Sequence, residues 1–163
     1  MSGKALDGKR ATRQEIEVIL DVLYSLDFKE HCKKFEVCGS YRRGKPDSGD
    51  VDIVVIPKDS FKAWFDNLSF PKRKGHFADN ILINEVQVDF FLCDDASYAT
   101  AVMTWTGSRG FNMIMRGKCF EAGYVYTRNG IYDKKSKQII SGINTEHDIF
   151  NLINMNYVEP KDR

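Results

Sequence analysis

Eight residues, Asp50-Val51-Asp52-Ile53-Val54-Val55-Ile56-Pro57, constrain this chain more than any other stretch. Side chains alternate along an extended strand, so Val51, Ile53 and Val55 share one face while Asp50, Asp52, Val54 and Ile56 share the other. Two acids that are two residues apart therefore project together, with Cα atoms about 6.5–7 Å apart. That spacing lets both carboxylates reach one divalent ion, and hard cations such as Mg²⁺ prefer carboxylate oxygen while keeping positions open for phosphates. Taken alone, Asp-x-Asp is more ordinarily a pair of acids that end a turn and face water.

The segment just upstream changes that balance. Gly39-Ser40-Tyr41-Arg42-Arg43-Gly44-Lys45-Pro46-Asp47-Ser48-Gly49 follows a β-rich strand and opens as a short helix, where backbone N–H groups and the helix dipole favour phosphate. Gly39 permits close backbone approach, Gly49 offers a further N–H, and Arg43 can clamp a pair of phosphate oxygens. Read in isolation, the Arg42-Arg43 pair is equally a solvated basic turn. Asp89 lies on the polar face of another apolar strand and can complete an acidic cluster from a neighbouring position. Three crowded carboxylates repel unless cations neutralise them, so a phosphate turn followed by paired acids fits two-metal phosphoryl transfer.

The rest of the chain supplies an α+β frame. Thr12 and Glu15 form a capping box ahead of a helical stripe of Ile16, Ile19, Leu20, Leu23 and Leu26. A strand is predicted at 35–39, a helix near 60–68, a Pro/Lys/Gly turn at 71–75, and strands at 80–83 and 85–92. In the last of these Val86, Val88, Phe90 and Leu92 face one way and Glu85, Gln87 and Asp89 the other. Helices are expected at 95–104 and 108–122, the second with a stripe of Phe111, Ile114, Met115 and Cys119 stopped by Gly123. A hairpin at 124–127 and 130–133 turns at Asn129-Gly130, and Thr145 with Asp148 opens a final helix carrying Ile149, Leu152 and Ile153. The formal net charge of +1 says little, although the acidic excess lies before residue 96 and the basic excess after it. Cys32, Cys38, Cys93 and Cys119 have no Cys-x-x-Cys spacing and read as buried thiols in a reducing compartment. Met1–Asp7 has no apolar signal core, and no run approaches the roughly 20 apolar residues of a membrane span, so an intracellular, soluble protein is expected, whether of nucleus, cytoplasm or virion.

The stretch Gly39–Asp52 resembles the Gly-Ser-x-Arg-Arg-Gly…Gly-Asp-x-Asp signature of family X DNA polymerases, nearest to DNA polymerase beta. The similarity continues in register: Arg10-Ala-Thr-Arg-Gln-Glu resembles the opening helix of that family's palm, Val86-Gln-Val-Asp89 its third-aspartate strand, and Thr106-Gly107-Ser108-Arg-Gly-Phe111-Asn112 with Arg116 its thumb motif. Asp148-Ile-Phe150 and Tyr157-Val-Glu159-Pro160-Lys-Asp-Arg163 resemble its C-terminal segment. The resemblance starts about ten residues in and does not extend to the family's N-terminal lyase and fingers-like DNA-binding domains, so the chain is similar either to the two-domain viral members, a palm-plus-thumb form, or to a piece of a larger polymerase.

That resemblance implies a nucleotidyltransferase palm at 1–95, a mixed β-sheet with flanking helices, and a small α/β thumb at 96–163. It implies Asp50 and Asp52 as ligands of two Mg²⁺ ions, with Mn²⁺ as the alternative, and Asp89 as ligand of the catalytic one and acceptor of the primer hydroxyl proton. Ser40, Arg43, Gly49 and Arg10 would hold the triphosphate, while Thr104, Trp105, Gly107, Asn112 and Arg116 would meet the nucleotide sugar and base. Without the motif, Asn112 and Arg116 read as a solvated helix flank. Implied partners are dNTP and primer-template or gapped duplex DNA, for a monomer engaged in template-dependent DNA repair synthesis. Two departures bear on this. Many members carry Tyr-Phe where this chain has Thr104-Trp105, a Trp that is similar to the template-independent terminal transferases. Those relatives also carry a long loop before the third aspartate, whereas 71–85 is short here and favours templating. Untemplated or other nucleotidyl transfer is the alternative, and a catalytically silent DNA-binding module a third reading against which the intact acids speak.

Overall fold

A computed structural model describes residues 10–75 and 77–163; the reading of Met1–Asp7 falls outside them. The frame is a five-stranded sheet in the order β2 (Cys32–Val37), β4 (Asp50–Pro57), β7 (Val86–Leu92), β6 (Asp79–Ile83) and β5 (Lys72–Lys74). The β4–β7 pair is parallel and the others antiparallel, so the sheet is mixed. Alternation along β4 sorts the two faces as expected. Val51, Ile53 and Val55 join Val88 and Phe90 under α1 (Arg13–Ser25) and α3 (Phe61–Asn67), while Val54, Ile56 and Phe91 pack against α4 (Tyr98–Thr106). Helix α1 begins at the expected Thr12/Glu15 capping box and buries Ile16, Ile19, Leu20 and Leu23. Around Phe90, the rings of Phe28, Phe61, Trp64 and Phe65 meet at tilted or edge-on angles, the arrangement aromatic quadrupoles prefer.

Helix α4 is apolar on two sides, which lets it serve two cores. Tyr98, Ala101 and Val102 face the sheet, whereas Ala99 and Met103 face a second cluster with Phe111, Met115 and Cys119 of α5 (Arg109–Glu121). The hairpin β8 (Tyr124–Thr127) and β9 (Gly130–Asp133) and helix α6 (Glu146–Leu152) close that second core through Tyr126, Ile131, Ile149 and Phe150. The α+β class and the mixed sheet flanked by helices are as the sequence indicates.

Several local expectations are corrected. The segment 71–75 is not merely a turn, since Lys72–Lys74 pairs with β6 as an edge strand. Its charge obscured a strand whose outer edge faces solvent, a place where basic residues are favoured. The strand expected at 35–39 spans Cys32–Val37, while Gly39 opens the short helix α2 (Gly39–Arg42), as expected of the turn. Helix α4 starts and ends later than 95–104. Leu92 is 45% exposed and Ile114 is 55% exposed, so neither joins the stripe assigned to it. Leu92 ends its strand beyond the helical cover, and Ile114 is turned about 100° from Met115, which holds the buried face of α5. Leu26 is the exposed C-cap of α1 rather than part of its buried face. Ala11–Thr12 (β1) and Asp47–Ser48 (β3) form a small ladder that the sequence did not announce; it ties the start of α1 to the end of the Gly-rich turn.

Candidate active site

Asp50, Asp52 and Asp89 converge. Asp52 pairs with Asp89 in the parallel β4–β7 register, and each of the three acids offers a carboxylate oxygen within 4.8 Å of the others. A purely carboxylate donor set suits a hard divalent cation. With Mg–O bonds of about 2.1 Å, one octahedral ion reaches oxygens roughly 4 Å apart, and two ions about 3.5–4 Å apart reach further. Burial first, and then the charges of its neighbours, pushes Asp52 well above the usual carboxylate range. Asp50 is raised likewise by burial and by Asp89, with Arg10 opposing. Asp89 is raised by burial, with the side-chain amides of Gln87 and Asn80 opposing. The cluster is thus short of positive charge, which is the condition a metal would relieve.

The turn is shaped around Asp52. Gly39 has φ +60°, and a Cβ there would lie 2.3 Å from Asp52 Oδ2. The main chain also closes on it, as the Cys38 amide donates to the Asp52 carbonyl at 2.7 Å. Gly39→Ala is therefore expected to turn the Asp52 carboxylate out of the cluster, lowering any metal-dependent rate roughly 10–100-fold and costing about 1–3 kcal/mol of stability. Metal titration and thermal melts of the variant measure the two effects.

The residues assigned to phosphate gather at the same end of the sheet. Arg43 donates through Nη1 to the Thr106 carbonyl at 2.5 Å and through Nη2 to Ser40 Oγ at 3.2 Å, while its Nε is buried without a partner. Arg10 pairs with Asp47 at 2.6 Å, and a Cβ on Gly49 would sit 3.9 Å from Arg10 Nη1. Of the residues assigned to sugar and base, Asn112 donates to the Thr104 carbonyl at 2.7 Å and leaves its own Oδ1 buried and unpartnered. Thr104 Oγ1 lies 2.7 Å from the Tyr126 hydroxyl. Trp105 stacks on Phe91 with ring centroids 3.6 Å apart, so one of its faces is already covered. Gly107, at φ +68°, lies against Arg43, and Arg116 is exposed four residues beyond Asn112 on α5.

Sequence reasoning missed a charge network behind the turn. Arg42 donates to Glu146 at 3.0 and 2.6 Å and to Thr106 Oγ1 at 2.8 Å, and Arg163 donates to Glu146 at 2.6 Å. Nothing in the spacing of Arg42, Glu146 and Arg163 announces these contacts. The amides Gln87 and Asn80 beside Asp89 were missed too, although Gln87 lies on the polar face that alternation assigned to it.

Comparison with known proteins agrees with the geometry. Residues 10–121 match the family model of the DNA polymerase beta palm, and residues 101–163 match that of the DNA polymerase beta thumb. The DNA nucleotidylexotransferase of Xenopus laevis is 30% identical over 114 residues, covering 64% of this chain and 22% of that protein. DNA polymerase lambda of Rattus norvegicus is 25% identical over 162 residues, covering 77% and 28% respectively. The DNA nucleotidylexotransferase of Homo sapiens is 25% identical over 177 residues, covering 77% and 35%. The chain thus spans between 22% and 35% of the length of these relatives.

Proposed function

This chain belongs to the DNA polymerase beta family, family X, and from that premise we propose that it carries out template-dependent, gap-filling DNA synthesis. In this reading residues 1–95 are the palm and residues 96–163 the thumb, and the protein transfers a nucleotide from dNTP to a primer 3′-hydroxyl, the new ester bond to the α-phosphate replacing the α–β phosphoanhydride as pyrophosphate leaves. The observation that carries it is the convergence of Asp50, Asp52 and Asp89 beneath the Gly39–Gly49 turn. Asp50 and Asp52 would hold two Mg²⁺ ions, or Mn²⁺ in their place, and Asp89 one of them. When bound, the metal supplies Lewis-acid stabilisation of charge on the α-phosphate.

The chain's own groups do the rest. Ser40, the Gly49 amide, Arg10 and Arg43 grip the triphosphate; Arg43 has five N–H donors and spends two on Thr106 and Ser40. Asp89 receives the primer hydroxyl proton on a carboxylate oxygen. Thr104, Trp105, Gly107, Asn112 and Arg116 line the nucleotide's sugar and base, so that correct pairing is read at α5. The partners are dNTP and primer-template or gapped DNA, and the protein acts as a monomer. No helix among the described residues is long and apolar enough to cross a membrane.

A second reading, untemplated addition, draws support from two relatives named DNA nucleotidylexotransferase and from Trp105. The short segment 71–85 ahead of the third aspartate favours templating. Extension of gapped, recessed and single-stranded DNA, each with dNTP and rNTP, separates the two. The expected result is fastest extension on gapped DNA, with the incorporated base following the template. Equal extension of single-stranded DNA with no template preference would refute the templated reading.

A further inference from the structure

Asp89 is flanked by two neutral amides that no role so far assigned to the site requires. The Gln87 side-chain nitrogen donates to both Asp89 carboxylate oxygens, at 2.9 and 3.0 Å. Gln87 stands two residues upstream on β7, hence on the same face, and opposite Asp50 in the β4–β7 register. From the other side, Asn80 sits opposite Asp89 in the β6–β7 register, and its side-chain amide favours the ionised form of the same carboxylate. Asn80 is only 4% exposed, and its Oδ1 is buried with no partner. Gly75 makes room for it, since a Cβ there would lie 3.0 Å from Asn80 Nδ2.

The chemical character of these partners matters. An ionised carboxylate offers about four lone-pair positions, so donors can fix its plane and still leave positions for a cation. An arginine or lysine in their place would supply a positive charge of its own and compete with a metal for Asp89. Amides orient the group and leave its negative charge for the metal. Asn80 also leaves a buried acceptor unsatisfied, and such exceptions call for an explanation other than packing, because an apolar side chain would fill an interior strand position without that cost.

We propose that Gln87 and Asn80 are positioning residues for nucleotidyl transfer: they hold the Asp89 carboxylate turned toward Asp50 and Asp52 without neutralising it. The inference rests on the polymerase reading and deepens it, since it names what aims the third acid. Residues that position metal ligands through hydrogen bonds typically change metal affinity or activity by about 10–100-fold when removed.

The test compares wild type, Asp89→Ala, Gln87→Ala and the near-isosteric Gln87→Glu, which replaces a donor by an acceptor. Primer extension gives kcat, KM for dNTP and the Mg²⁺ concentration for half-maximal rate. Calorimetric titration of Mn²⁺ without DNA reads the site directly, and thermal melts report folding. Both Gln87 variants are expected to lose about 10–100-fold in kcat or in divalent-ion affinity, with KM for dNTP and Tm unchanged and Gln87→Glu the poorer. Wild-type kcat and wild-type Mn²⁺ affinity in both variants would overturn the positioning role while the polymerase reading stood. Losses that track Tm and KM together would overturn it as well, because they would mark a structural residue. A wild type that extends no primer, or an Asp89→Ala variant as active as wild type, would remove the polymerase reading and this inference with it.

Discussion

Asp52→Asn is expected to abolish nucleotidyl transfer and at the same time to leave the metal-free protein more stable than the wild type. The first half follows from the donor set. Asp52 stands between Asp50 and Asp89, one on its own strand and one on the next, with its carboxylate fitted against Gly39. Metal stabilisation of a phosphoryl-transfer transition state is worth several kcal/mol, and each 1.4 kcal/mol is about tenfold, so the rate should fall by about 10³-fold or more. The second half follows from the same crowding. Burial, then the charges of Asp50 and Asp89, holds Asp52 well above the usual carboxylate range. A carboxyl whose pKa is raised on folding binds its proton more readily in the native state than in the unfolded chain. Stability then falls as pH rises from the unfolded value, about 3.9, through the raised native one. Asparagine cannot ionise and removes that loss. Thermal melts in chelator from about pH 4 to 8 should show wild-type Tm declining across the window and the variant declining less. Adding Mg²⁺ should raise the wild-type Tm and have little effect on the variant, since only a state that binds ligand is stabilised by it. A variant with wild-type turnover, or a metal-free Tm below that of wild type at neutral pH, would contradict the picture of three acids awaiting cations.

The expectations that held did so where periodicity and chemistry coincide. Two-residue alternation is enough to aim Asp50 and Asp52 together, and it correctly sorted Val51, Ile53 and Val55 from Val54 and Ile56. The position of Asp89 next to Asp52 depended on which strands are neighbours, a matter of topology; alternation put Asp89 on a polar strand face that allowed it, and the motif resemblance supported it. Charge on an edge strand hid Lys72–Lys74, because propensity weighs against lysine and arginine where an exposed edge favours them. Stripe assignments failed by one position at Ile114 and at the strand end Leu92, where exposure depends on what covers the element rather than on its own period. The least legible feature was the network of Arg42, Glu146 and Arg163. Its members are separated by 104 and 17 residues and meet only through tertiary packing.

Glu146→Ala tests that network and is expected to destabilise the protein by about 3–5 kcal/mol, the usual consequence of removing one partner from a buried ion pair. The Arg163 side chain is fully buried and that of Glu146 is 7% exposed, so neither charge has water to fall back on. The guanidinium of Arg163 lies near the rings of Phe111, Phe150 and Tyr157, and its Nη2 already lacks a partner. At roughly 2–4 °C per kcal/mol for a chain of this size, the loss corresponds to a Tm lower by about 6–20 °C. Burial alone would push the Glu146 carboxyl up, but hydrogen bonds and charge from Arg42 and Arg163 outweigh it and hold the group below its usual range. A depressed carboxylate contributes stability that is fully present above its unfolded pKa, about 4.3, and lost as pH falls toward the native value. Wild type and variant should therefore converge on acidification, the opposite slope to that of the triad. Because Arg42 belongs to the same short helix as Ser40, loosening Glu146 should, on the proposed polymerase function, also raise KM for dNTP in the protein that stays folded at low temperature. Pairing Glu146→Ala with Arg163→Met should recover part of the lost stability, since the second change removes the charge that the first left unpaired. If Glu146→Ala alone melts within about 1 °C of wild type at neutral pH, the three charges contribute no net stability, and their conformational role would have to be sought in the kinetics alone.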